Sequence, residues 1–351
     1  MSQDLTVICP GETASERFVR TLEAALRGRR SQVRPRLEGP LENRRVLFAV
    51  SLDESGVNHE FYSLLAHLRA HPGCLRGCVG GVLVDGRGDL YTKSAGRELV
   101  LAANLAGCAF PGRPLVEASG DLQNFTVQAK NAACSLEEAY QRAAEDLVRR
   151  VLDFAPPRHG RPNLLVLHAS SHPASNTLAL WSRCRQGLEA RCDVTEIGLR
   201  NGTLADCAGC PYTACLHFGE RGDCFYGGVM VEEVYPAIRA ADGVVLLCPN
   251  YNDALPANLT AAVNRLTALY RAAPFENTAV FAIVVSGYSG GDIVASQVVS
   301  AMNMNKGFWL PPGFCMLETA NDAGTAVRLP GIQGRLERFS GNILEQLLEK
   351  T

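Results

Sequence analysis

Ser170, Ser171, His172, Ser175, Asn176 and Thr177 fall within eight residues of one another, in the stretch Ala-Ser-Ser-His-Pro-Ala-Ser-Asn-Thr at 169–177. A short apolar run, Leu164 to Leu167, precedes them, and an amphipathic run, Leu178 to Leu188, follows. The first run has the length of a buried strand and the second the pattern of a helix. A strand that delivers such a loop onto a helix N-terminus makes an anion cradle, because the first backbone N–H groups of the helix lack intrahelical partners and its dipole favours negative charge. The hydroxyls and the Asn amide add donors without adding charge. Ser175 or Asn176 could equally serve as a plain helix N-cap, and the loop alone leaves both readings open.

Two further loops leave apolar runs in the same half of the chain. Pro249 to Leu255 offers the aromatic face of Tyr251 and the amides of Asn250 and Asn252, which suit the polar edge of a heterocycle. Ser286 to Gly291 carries Gly287, Gly290 and Gly291, which allow close backbone approach to a flat ligand, though glycine is also an ordinary turn former. A fourth feature is a cysteine-bearing loop. Cys207 and Cys210 are separated by two residues, Cys215 follows after four more and Cys224 after eight more. Four thiolates so spaced read as ligands of an iron–sulfur cluster or of zinc, or as free redox-active cysteines. Cys248 closes a buried strand and reads as core, and Cys74 and Cys78 read as structural.

These loops need a scaffold, and the rest of the chain supplies an alternating one. Strand-like runs at Leu5 to Cys9, Val33 to Leu37, Arg45 to Leu52, Cys78 to Asp85 and Pro114 to Ala118 alternate with helical patterns at Glu16 to Leu26, Phe61 to Ala70, Ser94 to Ala106 and Leu136 to Phe154. Three prolines and a glycine between Ala155 and Pro162 then break the pattern. After them it resumes: strands at Cys192 to Ile197, Val244 to Cys248, Thr278 to Ser286 and Phe314 to Glu318, and helices at Met230 to Ala241, Pro256 to Tyr270, Asp292 to Met304 and Arg335 to Lys350. Strand–helix alternation predicts an α/β protein with a parallel sheet covered on both faces. Two doubly wound three-layer α/β/α domains are expected, 1–157 and 158–351, with ligands beyond the carboxyl ends of the strands.

Composition narrows the function classes. The 351 residues are 47% hydrophobic and 20% charged, with a net charge of −2 and no long basic run, so neither nucleic acid nor a membrane surface is an expected partner. No apolar run is long enough to span a bilayer and no signal peptide is evident. Thirteen scattered cysteines fit a reducing cytoplasm.

The loop at 169–177 resembles the G-S-P-R-x-x-S-N-T phosphate loop of the NADPH-dependent FMN reductase family of flavodoxin-like proteins. Pro249 and Tyr251 match its P-x-Y, Asn264 and Arg265 fall where the family has an aspartate–arginine pair, and Ser286, Gly287, Gly290 and Gly291 resemble its third flavin loop. The resemblance covers roughly Asn163 to Leu348 and implies two flavodoxin-like domains. It implies that Ser170, His172, Ser175, Asn176 and Thr177 hold the phosphate of FMN. Pro249, Asn250, Tyr251 and Asn252 would border the isoalloxazine, joined by Ser286, Gly287 and Gly290. Ala169, Ser171 and His172 replace the family's glycine, proline and arginine, which removes one fixed positive charge near the phosphate. Iron–sulfur flavoproteins of the family carry a tighter cysteine motif where this chain has Cys207, Cys210, Cys215 and Cys224, so the resemblance adds a 4Fe-4S cluster, or zinc, as a second centre.

The first half lacks the phosphate loop and has Glu12 where an anion would sit, so it is not expected to bind flavin. Members of the resembled family commonly pair. The chain is therefore expected to form a homodimer or to use its first half as an intrachain neighbour. The expected activity is that of an FMN-dependent oxidoreductase, passing hydride from NADPH or NADH to FMN and then electrons to a small-molecule or protein acceptor. The alternatives are a one-electron transfer flavoprotein and a non-enzymatic flavodoxin-like sensor or scaffold.

Overall fold

The computed structural model describes residues 4–11, 14–170, 175–270 and 272–349. It divides into two compact units, Met1–Ala155 and Pro156–Thr351.

The N-terminal unit runs β1 (Leu5–Ile8), α1 (Glu16–Leu26), β2 (Ser31–Arg34), β3 (Arg45–Leu52), α2 (His59–Ala70), β4 (Val79–Gly86), α3 (Thr92–Leu105), β5 (Leu115–Ala118), α4 (Thr126–Ala132) and α5 (Leu136–Asp153). Its five strands are all parallel, in the order β2-β1-β3-β4-β5. β4 is buried along its whole length and β3 along nearly all of it, which is why both read as continuous apolar runs rather than alternating ones. Phe18 of α1 and Tyr140, Leu147 and Val151 of α5 close one face over Leu47, Ala49 and Leu83. Each such buried side chain contributes roughly 1.5–3 kcal/mol. Helix starts follow local chemistry: Ser15 caps α1, Asn58 caps α2, and Ser135 with Glu138 forms a capping box on α5.

The C-terminal unit runs β6 (Asn163–His168), α6 (Asn176–Leu188), β7 (Asp193–Gly198), α7 (Tyr212–Gly219), α8 (Tyr235–Ala240), β8 (Gly243–Pro249), α9 (Ala257–Tyr270), β9 (Ala279–Ser286), α10 (Gly291–Val298), β10 (Cys315–Thr319) and α11 (Ile332–Leu347). Its parallel sheet has the order β10-β9-β8-β6-β7, the same topology as the first. The fold is thus α/β, two flavodoxin-like three-layer units, as the strand–helix alternation predicts. Two expectations shift. The helix read over Met230 to Ala241 begins as a π-helical turn, Met230–Val234, and α10 ends in another, Val299–Met304. The cysteine loop, read as irregular, contains α7. No described helix is long and apolar enough to cross a membrane.

The shared register allows the two units to be compared position by position. Leu5 pairs with Arg45 and Arg45 with Val79, while Leu164 pairs with Gly243 and Gly243 with Ala279. Asp85 therefore matches Val285, and Ser15 and Arg17 in the cap and first turn of α1 match Ser175 and Thr177 of α6. In the N-terminal unit these positions are filled from within. Arg17 donates Nε to Asp85 Oδ2 at 3.0 Å and Nη2 to Oδ1 at 3.1 Å, reaches the carbonyls of Gly86 and Gly120, and lies 6.0 Å from the Tyr140 ring centre. Ser15 Oγ adds a bond to Asp85 Oδ1 at 3.0 Å. Glu12, read as anion-repelling, lies outside the described residues. The Asp85 side chain is fully buried and that of Arg17 is 17% exposed, so losing one partner strands a charge. Asp85→Ala should cost about 3–5 kcal/mol in denaturant unfolding of the full chain, whereas Arg17→Leu with Asp85→Val should cost far less. Equal losses would show that the pair is not what the region depends on.

Candidate functional site

The carboxyl edge of the second sheet opens into a cavity of about 770 Å³. β6 brings Ser170 to it, and α6 begins there, so Ser175, Asn176 and Thr177 line it as well. Ser175 is the N-cap. Its Oγ accepts from Leu178 N at 3.4 Å and stands 3.0 Å from Thr177 Oγ1. His172, a predicted phosphate ligand, lies outside the described residues.

Asn176 reaches the cavity in a different capacity from the donor role inferred for its amide. Its Nδ2 donates to the carbonyls of Ala320 at 3.2 Å and Asp322 at 2.9 Å, and its Oδ1 accepts from Ala326 N at 3.1 Å. The side chain is a strut between α6 and the loop after β10, which leaves its backbone N–H as the group at the helix end. That loop escaped the sequence reading, yet Ala320, Asn321 and Ala323 line the cavity. The cluster Asn321-Asp322 followed by Gly324 was the available signal.

Pro249, Asn250, Tyr251 and Asn252 line the same cavity with Gly287, and they are joined by Asp253 and Tyr288, which sequence reasoning did not single out. Asn250 organises this side. Its Nδ2 donates to Asp253 Oδ1 at 3.1 Å, Ser286 Oγ at 3.1 Å and Ser289 O at 3.0 Å, and its backbone N donates to Val285 O at 2.8 Å. Its Oδ1 is buried and has no hydrogen-bond partner among the described residues. Ser286 is 1% exposed and acts by accepting from Asn250. Asn252 and Asp253 both take φ of 55°, a conformation their side chains tolerate better than most. Gly290 has φ of 82°, and a Cβ on it would collide with Asp253 Oδ1. The missing side chain makes room for Asp253. Tyr251 is 64% exposed and Tyr288 is 81% exposed, so two phenol rings flank the opening. Among the described lining residues, Asp253 is the one with a formal charge.

The four cysteines of the long loop do not assemble as ligands. Among the described residues no group of three or more His, Cys, Asp and Glu side chains is placed to hold a metal ion. The cluster or zinc expected at Cys207, Cys210, Cys215 and Cys224 therefore has no ligand set in this fold. The gaps explain why: α7 takes up the residues after Cys210, so Cys215 projects from a helix and Cys224 follows the turn after it. The loop is instead tied to α9. Asn264 Nδ2 donates to Asp206 Oδ1 at 3.0 Å, and the buried Arg265 donates Nη2 to Gly227 O at 2.8 Å. Cys210 bonds the Tyr226 hydroxyl and, by its negative charge when ionised, holds that phenol above its ordinary pKa. Cys248 and Cys74 are buried, and Cys78 is buried with its Sγ donating to Leu41 O at 3.2 Å, in line with core and structural roles.

Burial pushes the thiols of Cys184 and Cys315 up to about 12, while Cys207 is exposed. A thiol reagent at pH 8 should therefore label Cys207 in the folded protein and reach Cys184 only after unfolding, as peptide mapping would reveal. Asn176→Ala should lower stability by about 1–3 kcal/mol and speed amide hydrogen exchange at Ala326. Unchanged exchange there would remove the strut.

Residues 162–322 match the family model of the NADPH-dependent FMN reductases. The comparison with curated proteins returned no match. Among solved structures, the chain is similar to an NADH:FMN oxidoreductase (EMOB) in its apo form, at 15% identity and a TM-score of 0.38 over 54% of this chain and 91% of that one. It is similar also to an NAD(P)H:quinone oxidoreductase from Methanothermobacter marburgensis, at 14% identity and a TM-score of 0.40 over 54% of this chain and 100% of that one. An azoreductase from Bacillus anthracis str. Sterne follows at 15% identity and a TM-score of 0.36, over 51% and 97% of the two chains. These structural likenesses carry no functional argument at such values. The family match lies within the C-terminal unit, at residues 162–322, and it is there that the chain is similar to the NADPH-dependent FMN reductases.

Proposed function

We propose that the C-terminal unit binds FMN at the carboxyl edge of its sheet and acts as an NAD(P)H-dependent FMN oxidoreductase. The observation that carries this reading is the convergence of the hydroxyl-lined start of α6 and the Asn250-locked loops on one cavity of about 770 Å³. The residues present fit the group. Asn250 lines the cavity, and its side-chain amide holds the loops after β8 and β9 together at its edge. A phosphate is served by the hydroxyls of Ser170, Ser175 and Thr177 and by the free backbone N–H groups at the start of α6. The rings of Tyr251 and Tyr288 offer planar faces at the opening and limit the access of water.

The chemistry FMN supplies when bound is hydride acceptance from a nicotinamide and electron delivery to a second substrate. The chain's own part is to bind and orient. Asn250 fixes the loops that border the cavity through its side-chain amide, and α6 points its dipole at the anion. Hydride transfer needs no side-chain acid or base, and none is assigned. The acceptor is a small molecule or a protein that reaches the tyrosine-flanked opening.

Titration of the full chain with FMN, followed by flavin fluorescence, should give one site per chain. Ser175→Ala with Thr177→Val should weaken FMN about tenfold or more, since two hydrogen bonds to a charged group are lost, and should leave riboflavin binding nearly unchanged. Rapid mixing of the FMN-loaded protein with NADPH and with NADH should bleach the flavin absorbance. Absence of FMN binding, or equal weakening of both flavins, would overturn the reading.

A further inference from the structure

The net charge of −2 hides a strongly basic stretch near the start of the chain. Residues 27–45 hold seven arginines against two acidic residues. Within this stretch lies β2, an edge strand that pairs on one side only, with β1. Arg30 O accepts from Leu5 N at 3.0 Å, and Arg34 O accepts from Cys9 N at 2.8 Å. Backbone groups alternate in direction along a strand, so Arg30, Gln32 and Arg34 turn theirs to β1 while Ser31 and Val33 turn theirs outward. Ser31, Gln32 and Val33 are exposed. Among the described residues no backbone group meets the outward N–H and C=O of Ser31 and Val33.

Beside this edge lies a cavity of about 770 Å³, bounded by the β1–β2 pair and by the segment that leads back to β3. Arg30 and Arg34 line it from the strand, and Arg44 lines it from the returning segment. Arg34 is steadied by its Nη2, which donates to Gln32 Oε1 at 2.8 Å. The side chains of Arg30 and Arg44 are exposed and make no hydrogen bond or ion pair among the described residues. The carboxylates of the lining are those of Asp4 and Glu42, so positive charge is in excess. A guanidinium is charged at every physiological pH, and its planar fork of donors matches a carboxylate in two parallel hydrogen bonds.

We propose that the open edge of β2 and the arginine-lined cavity beside it form a docking site for an acidic, extended peptide segment of a partner protein. The segment adds a strand outside β2, and its main chain pairs with the outward N–H and C=O groups of Ser31 and Val33. Every second side chain of that strand falls on one face, so carboxylates at alternate positions reach Arg30, Arg34 and Arg44. β2 is four residues long, and a segment of about the same length covers it. The open edge favours a peptide over a nucleic acid. It presents acceptors as well as donors, and a phosphate backbone has no N–H to give them. The arginines add selection: charge on an edge turns away neutral strands and further copies of the same edge, while it draws in an acidic one. Every residue of the site belongs to the N-terminal unit, so the inference stands apart from the flavin reading.

The test is fluorescence anisotropy of a short labelled peptide of alternating glutamate and threonine, titrated with the full chain at low salt. A lysine–threonine peptide of the same length and an oligothymidylate of the same charge serve as comparisons. The acidic peptide should bind saturably and more weakly as salt rises, and the lysine peptide should not bind. Arg30→Gln with Arg44→Gln should weaken the acidic peptide about tenfold or more. Val33→Pro should weaken it to a similar degree, because it removes an outward N–H and spares the bonds to β1. Urea unfolding of each variant accompanies the titrations. The exposed arginine pair should keep the wild-type midpoint, which leaves the proposal testable if Val33→Pro folds poorly. No binding of the acidic peptide, binding that the arginine replacements leave unchanged, or tighter binding of the oligothymidylate would overturn the proposal. A Val33→Pro variant with wild-type stability and wild-type peptide affinity would overturn it as well, since the segment would then not be an added strand.

Discussion

The side-chain amide of Asn250 is the point on which the cavity depends. One NH₂ group reaches three acceptors on two loops and a strand end: Asp253 Oδ1, Ser286 Oγ and Ser289 O. A parallel sheet ends each strand with backbone groups that its neighbours no longer pair, so the loops beyond must find partners of their own. Asn250 supplies them on one side of the cavity, and Asn176, bonded to Ala320, Asp322 and Ala326, supplies them on the other. With both struts in place the loops after β6, β8, β9 and β10 stand around one space rather than apart. The same arrangement leaves Asn250 Oδ1 buried and without a partner among the described residues.

The two units place different side chains on one scaffold. Their sheets share strand order, and their first helices share a serine N-cap. At the second helical position one has Thr177, whose hydroxyl pairs with that of Ser175, and the other has Arg17, whose guanidinium pairs with Asp85. At the matching strand end one has Val285 and the other Asp85. The Arg17 guanidinium meets both carboxylate oxygens of Asp85 and the carbonyls of Gly86 and Gly120.

The cysteine loop illustrates the distance between spacing and geometry. Four cysteines within eighteen residues suggest a ligand set, but thiolates bind a metal only where the backbone converges them. Pro211 and the eight residues of α7 direct the chain into a helix instead. What the loop gains is attachment to α9 through Asn264 and Arg265, the pair whose positions the family comparison had marked without indicating what they hold.

The sequence by itself determined the layer architecture, the break near Ala155, and the loops that carry Ser170, Ser175, Thr177, Asn250 and Tyr251. Those features rest on periodicity, proline placement and turn chemistry, which act over a few residues and are therefore written locally. Tertiary structure decided the rest. That Asn176 is a strut, that Gly290 makes room for Asp253, and that Tyr288 and Asn321 border the cavity all depend on which strand lies beside which. The fold joins residues 150 positions apart, as in the bond from Ala326 to Asn176, and no local pattern records such a pairing. A hydroxyl or amide in the sequence announces that it will be hydrogen-bonded, and only the packing of the sheet chooses its partner.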